Sequence, residues 1–207
     1  MSRTKKGLVV RVDAKWFVVS VYAFLAAVGA TASILMHGRN PFLHPSPSIV
    51  LSPFTRECVS LVVGVGFALF VVLLSQLSIR WTKWGSRLAE DLRPVALQLS
   101  SSMVVATALL SSLGEELLFR SFLVPWIGVI PQSVVFGLLH QIPGPSRWVW
   151  AIFATITGAA LGELYATLGS LSGAIAAHAI INALNLKYLR KSSTNASIAN
   201  RIVRGSE

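Results

Sequence analysis

The sequence predicts an all-α, polytopic integral membrane protein, with about six transmembrane or partial-span helices arranged around an intramembrane site. Three observations carry that expectation. The chain is 54% hydrophobic and 13% charged, with a mean hydropathy of +0.67, whereas soluble proteins are about 25% charged. Uncharged runs long enough to cross a bilayer, about 20 residues, recur along it. The cations gather at the ends of those runs, as the positive-inside rule describes.

Taken in order, residues 1–15 form a basic leader carrying Arg3, Lys5, Lys6, Arg11 and Lys15. Residues 16–190 form a single membrane domain. Its first apolar run, Trp16 to Met36, is too long for the 7 to 15 residues of a signal-peptide core and reads as an uncleaved span. Residues 37–55, with Asn40-Pro41, His44-Pro45, Ser46-Pro47 and Ser52-Pro53, read as an extended outer loop. His37 and His44 are expected to be solvated there. Cys58 to Ile79 gives the second span. Residues 80–93, with Trp81 and Trp84 among charges, read as an amphipathic stretch at the cytoplasmic surface.

A third helix is expected from about residue 95 to about 124. A short one runs from Pro131, a residue suited to a first helical turn, to near Ile142. Its twelve or so residues give about 18 Å at 1.5 Å per residue, less than a full span. Trp148 to Gly162 and Leu164 to Leu186 close the bundle, and residues 191–207 form a basic tail. The helix-end cations place both termini in the cytoplasm, and a compact chain with cytoplasmic ends and a Pro-rich outer loop suits a bacterial inner membrane. Trp16, Trp81, Trp84, Trp126, Trp148 and Trp150 suit interfacial belts. Gly158, Gly162, Gly169 and Gly173 suit close helix packing.

The net charge is +10. Its location at helix ends points to the lipid bilayer as partner and not to nucleic acid. The single cysteine, Cys58, rules out an internal disulfide framework and reads as a packing residue.

The chemistry lies where the few acidic residues interrupt apolar sequence. Of eight Asp and Glu in the chain, Glu115 and Glu116 stand side by side, followed by Arg120. Each charge costs about 2.5 to 3.5 kcal/mol to insert at the centre of a membrane helix, so such residues mark functional or paired positions. Glu116 and Arg120 are i and i+4, able to form an ion pair. Glu115 is turned away by about 100° and is expected to face a cavity alone. Phe136 and His140, and His178 and Asn182, repeat the one-turn spacing. Glu115 lies about 13 to 18 Å in from the outer end of its helix, His140 about 13 Å and His178 about 10 Å. The three can therefore meet within the bilayer.

Glu115-Glu116-x-x-x-Arg120, Phe136-x-x-x-His140 and His178-x-x-x-Asn182 resemble the three motifs of the CPBP family. That family groups type II CAAX prenyl proteases with bacteriocin-processing and immunity proteins. The resemblance spans residues 95–187. Chemistry and resemblance agree on amide hydrolysis: Glu115 activates water with help from His140, and His178 and Asn182 donate to the oxyanion. Glu116, Arg120 and Phe136 support the site.

No cofactor is expected. Glu115, His140 and His178 are also a zinc-type ligand set, which leaves a divalent metal as the alternative. The expected substrate is a membrane-anchored peptide or protein. A non-enzymatic immunity or scaffold protein that keeps the motifs structurally is the competing class, and a transporter is a third. Glu163, near the outer end of its helix, is expected to be an interfacial, solvated carboxylate.

Overall fold

The computed structural model describes residues 14–38 and 40–204; most of the basic leader lies outside them. Among the described residues there is no β-strand, only helices, turns and one isolated bridge between Leu43 and Ser170. The helices are α1 (Ala14–His37), α2 (Pro53–Trp81), α3 (Lys83–Gln98) and α4 (Ser101–Glu115). A π-helical turn (Glu116–Leu123) leads into α5 (Val124–Ile127), and α6 (Val129–Leu139), α7 (Arg147–Leu168) and α8 (Ser172–Arg204) complete the fold. Four stretches are long and apolar enough to cross a membrane: 18–37, 53–81, 101–127 and 147–168. α6 is a shorter apolar helix, about 16 Å at 1.5 Å per residue, as the sequence anticipated. This is the polytopic all-α architecture expected.

Several boundaries differ from expectation. The third span does not begin at residue 95. Residues up to Gln98 belong to α3, and Ser100 starts α4 by accepting a hydrogen bond from the Met103 N–H at 3.3 Å. α6 begins at Val129, where Gly128 takes a left-handed φ of 86°, so Pro131 is its third residue. The α7–α8 break is not at Glu163. α7 continues to Leu168 and ends at Gly169, whose φ of 76° is the left-handed cap glycine favours. An apolar stretch interrupted by one carboxylate remains a single helix. α8 is likewise helical to Arg204, where a separate tail was expected from residue 191.

α3 carries the amphipathic pattern expected between residues 80 and 93. Ala89 and Ala96 pack on Leu189 of α8 while Trp84 stays exposed. Asp91 accepts from the Ser146 N–H at 3.2 Å and so fixes the loop between α6 and α7.

α8 packs most extensively on α2, around a cluster of Ala68, Val71, Val72, Leu161, Ala174, Ala177 and Ile181. The helices touch where Gly64 meets the Gly173 backbone and Gly173 meets Ser60. Any β-carbon at residue 173 would collide with the Ser60 carbonyl. Gly173→Ala is therefore expected to destabilise the protein by about 1 to 3 kcal/mol, the usual cost of overpacking. A lowered melting temperature in detergent is the expected readout; an unchanged one would mean the crossing is loose.

The outer loop is not a solvated tether. It straps the α7–α8 junction, with Leu171 N–H donating to Phe42 O, Ser48 N–H to Ala166 O and Ile49 N–H to Thr167 O, each at 3.0 Å. His44 is half-buried, its ring edge-on to Tyr165 at 5.0 Å, and its Nδ1 accepts from the Ser46 N–H at 3.1 Å. Burial lowers its pKa from the usual 6.5. His37 faces the Phe122 carbonyl at 3.2 Å through Nε2. Both histidines are thus docked, contrary to expectation: His37 is the last residue of α1, and the loop's turns press His44 onto the α7–α8 junction. Cys58 is exposed at the head of α2, not packed.

Candidate active site

The polar residues singled out in the sequence meet at one buried place between α4, the π turn, α6, α7 and α8. Glu116 and Arg120 are fully buried, and Glu115 and His178 are each 7% exposed. Arg120 donates from Nη1 to Glu116 Oε1 at 2.9 Å. It also donates from Nη2 to the Gly158 carbonyl at 3.3 Å and lies 4.3 Å over the Phe136 ring. The expected ion pair is present.

The two carboxylates do not diverge as ideal helix geometry implied. His178 Nδ1 lies 2.7 Å from Glu116 Oε1, and its Nε2 lies 3.8 Å from Glu115 Oε2. One imidazole therefore touches both acids. Both acids keep right-handed helical dihedrals, Glu115 at φ −72°, ψ −39° and Glu116 at φ −66°, ψ −38°, so the ring meets both by lying between them, one nitrogen to each. The π turn begins at Glu116. Nothing in the composition of the segment marks such a turn.

His140 approaches from the end of α6, at φ −92° and ψ 35°, one residue beyond the helix. Its Nδ1 donates to the Phe136 carbonyl at 2.7 Å, because a carbonyl can only accept. That leaves Nε2 facing Glu115 Oε2 at 3.4 Å. Both histidines thus spend Nδ1 on a protein acceptor and turn Nε2 toward the same carboxylate oxygen. The tautomer and ring orientation of each is fixed by its partner.

Asn182, one turn below His178, donates from Nδ2 to Ser111 Oγ at 3.3 Å. Ser111 in turn donates to the Ala108 carbonyl at 3.3 Å. Phe136 is the packing hub: its ring is 4.1 Å from His140, 4.9 Å from Phe119 and 6.2 Å from His178. Gly158 makes room for it, since a β-carbon there would stand 3.1 Å from the Phe136 ring and 3.2 Å from Arg120 Nη2.

Glu163 is exposed on α7, outside the cluster. Sequence reasoning missed Ser111, Gly158 and Trp150. Trp150 is half-buried with its ring 6.4 Å from His140, not purely in an interfacial belt. It also missed Tyr22 of α1, whose backbone packs against Gly114, beside Glu115. The Tyr22 carbonyl is 2.7 Å from where a Gly114 β-carbon would sit, so α1 closes one wall of the site. The one available hint was the pairing of Gly114 with Glu115, a small residue beside a buried charge.

Among the described residues, no group of three or more His, Cys, Asp or Glu is arranged as a metal-ion site. The donor chemistry of Glu115, His140 and His178 nevertheless resembles metal ligation, in which each histidine gives its second N–H to a carbonyl or carboxylate.

Membrane-length helices thus surround a buried carboxylate–histidine cluster. Residues 97–184 match the family described as Type II CAAX prenyl endopeptidase Rce1-like, and that interval holds all seven residues named from the motifs. Residues 97–184 are thus similar to that family over the stretch that carries the three motifs. A curated relative, the uncharacterized protein YpbD of Bacillus subtilis (strain 168), is 31% identical over 124 residues. The match covers 58% of this chain and 64% of YpbD, so the chain spans just under two thirds of that relative. No solved structure matches the chain significantly.

Proposed function

We propose that the protein is an intramembrane endopeptidase hydrolysing a peptide bond in a membrane-associated peptide or protein. The observation that carries this reading is the convergence of both histidine Nε2 atoms on Glu115 Oε2, inside a helical bundle with the family's three motifs. Glu115 takes a proton from water as its oxygen attacks the scissile carbonyl carbon. The amide nitrogen leaves with a proton as the C–N bond breaks. His140, aligned by the Phe136 carbonyl, shares that proton between the two steps.

Charge balance supports this assignment. Two buried carboxylates and one guanidinium carry a net single negative charge. One proton shared among Glu115, His140 and His178 makes the cluster neutral, the state a low-dielectric interior favours. The same mobile proton is the one catalysis needs. When it resides on His178 Nε2, that ring becomes a donor to the developing oxyanion, anchored behind by Glu116. The second N–H of Asn182 supplies the other donor. Each such donor is worth about 3 to 4 kcal/mol in comparable sites.

We propose that this chemistry runs without a metal. In the alternative, Glu115, His140 and His178 would hold a divalent ion, which would polarise the carbonyl and activate water. Incubation with 1,10-phenanthroline is expected to leave cleavage unchanged. Loss of activity restored by zinc would establish the metal-dependent form.

The helix-end cations Arg80, Lys83, Arg87, Lys187 and Arg190 support an orientation with both termini in the cytoplasm and residence in a bacterial cell membrane. The test of the function itself is mass spectrometry of new peptide termini in membranes containing the wild-type chain or His140→Ala. Termini present only with wild type are expected. Identical terminus sets would overturn the proposal and favour a non-enzymatic membrane protein.

A further inference from the structure

Outward from the catalytic cluster, a second set of polar atoms is sealed between the π turn, α6 and α7, and the chemistry above does not use it. Gln132 is 0% exposed, and neither its Oε1 nor its Nε2 has a protein hydrogen-bond partner. Arg120 Nε and Glu116 Oε2, also fully buried, are in the same condition. The Tyr165 hydroxyl, on a side chain of 0% exposure, lies beside Ser121 without a well-formed bond. A buried polar group without a partner costs about 1 to 3 kcal/mol, and interiors satisfy such groups with water when protein does not.

These atoms follow α7 as a ladder. Gly158 sits against Arg120 Nη2, and Gly162, one turn on, sits against Gln132 Oε1 at 3.3 Å from its would-be β-carbon. Residues one turn apart share a face of the helix, so the Arg120 and Gln132 side chains approach α7 on the same side. Tyr165 follows three residues further on, toward the outer strap. There the Ser121 hydroxyl donates to the Pro41 carbonyl, and its oxygen lies 2.9 Å from Ser33 Oγ. The unpartnered atoms are therefore distributed along α7 between the carboxylates and the end where the outer loop docks.

We propose that Gln132, with Arg120 Nε, Glu116 Oε2 and the Tyr165 hydroxyl, forms an internal water-binding site that supplies the hydrolytic water to Glu115. The supply role rests on the endopeptidase reading; the water site does not. A hydrolase walled by apolar helices consumes one water per turnover and needs a polar store for it. Gln132 is the positioning residue of that store, since its amide offers two N–H donors and a carbonyl acceptor at one point.

Radiolytic hydroxyl footprinting of the full chain in lipid nanodiscs tests the site without any substrate, because bound water generates radicals where it sits. Tyr165 and Phe136 are expected to be oxidised in the wild type despite their burial, and in Glu115→Gln as well. In Gln132→Met, which keeps the side chain's length and removes its polarity, labelling should fall to the background of equally buried residues. Unlabelled Tyr165 in the wild type, or equal labelling in Gln132→Met, would overturn the water site. On any peptide the wild type cleaves, Gln132→Met should lower kcat about 10- to 100-fold with KM and Tm unchanged, the effect of a supporting group. Full turnover in that variant would overturn the supply role. Absence of cleavage by the wild type would instead count against the endopeptidase reading, leaving the footprint to decide the water site.

Discussion

Glu115→Gln is expected to stop peptide cleavage while the chain still folds and inserts. The change removes the base but keeps the shape of the side chain and its ability to face His140 and His178. General-base catalysis contributes about 10²- to 10⁴-fold, so the rate should fall by at least the lower figure. His140→Ala should fall as far, because it deletes the ring whose Nε2 faces Glu115 at 3.4 Å. Neither change removes a partner of Arg120, which pairs with Glu116, so melting behaviour should stay near wild type. Quantifying cleavage and melting on the same preparations checks both halves. Normal cleavage by either variant would remove the catalytic assignment.

The second large effect concerns stability. Arg120 is fully buried and answers Glu116, the Gly158 carbonyl and the Phe136 face together. Arg120→Met leaves the Glu116 carboxylate buried without its counter-charge, and breaking a buried pair in this way costs about 3 to 5 kcal/mol. Glu116→Gln strands the guanidinium instead and should cost a similar amount. It also weakens the acceptor of His178 Nδ1 at 2.7 Å, so cleavage should decline even in the fraction that remains folded. Thermal unfolding in detergent is the measurement. Wild-type melting in both variants would mean that the pair is not structural.

The site was legible in the sequence because charge is conspicuous in apolar helices. Glu115, Glu116 and Arg120, and the one-turn pairs Phe136/His140 and His178/Asn182, needed only helical spacing to be grouped. The short reach of α6 was legible too, from Pro131 near its start and the break near Ile142. What escaped was geometry that no local pattern encodes. His178 lies between the two acids and turns one ring nitrogen to each. Ser111 and Gly158 serve the site through contacts to residues 71 and 38 positions away. Tyr22 belongs to a span that otherwise looked like plain membrane anchor.

Boundaries failed where charge was taken as punctuation. Glu163 sits within α7, and the cap is Gly169, a glycine whose positive φ does the terminating. His37 and His44 were misplaced because a Pro- and Ser-rich loop was read as solvated. Its turns fold it back on the α7–α8 junction, where backbone groups of residues 166, 167 and 169 bind it.

The central claim is that Glu115, with His140 and His178, activates a water molecule against a peptide carbonyl within the bundle. Cleavage in water enriched with oxygen-18 tests it most directly, using membranes that hold either the wild-type chain or Glu115→Gln. The account predicts oxygen-18 in the new carboxyl terminus of each wild-type product and no such product from the variant. Equal labelled product from both would contradict it.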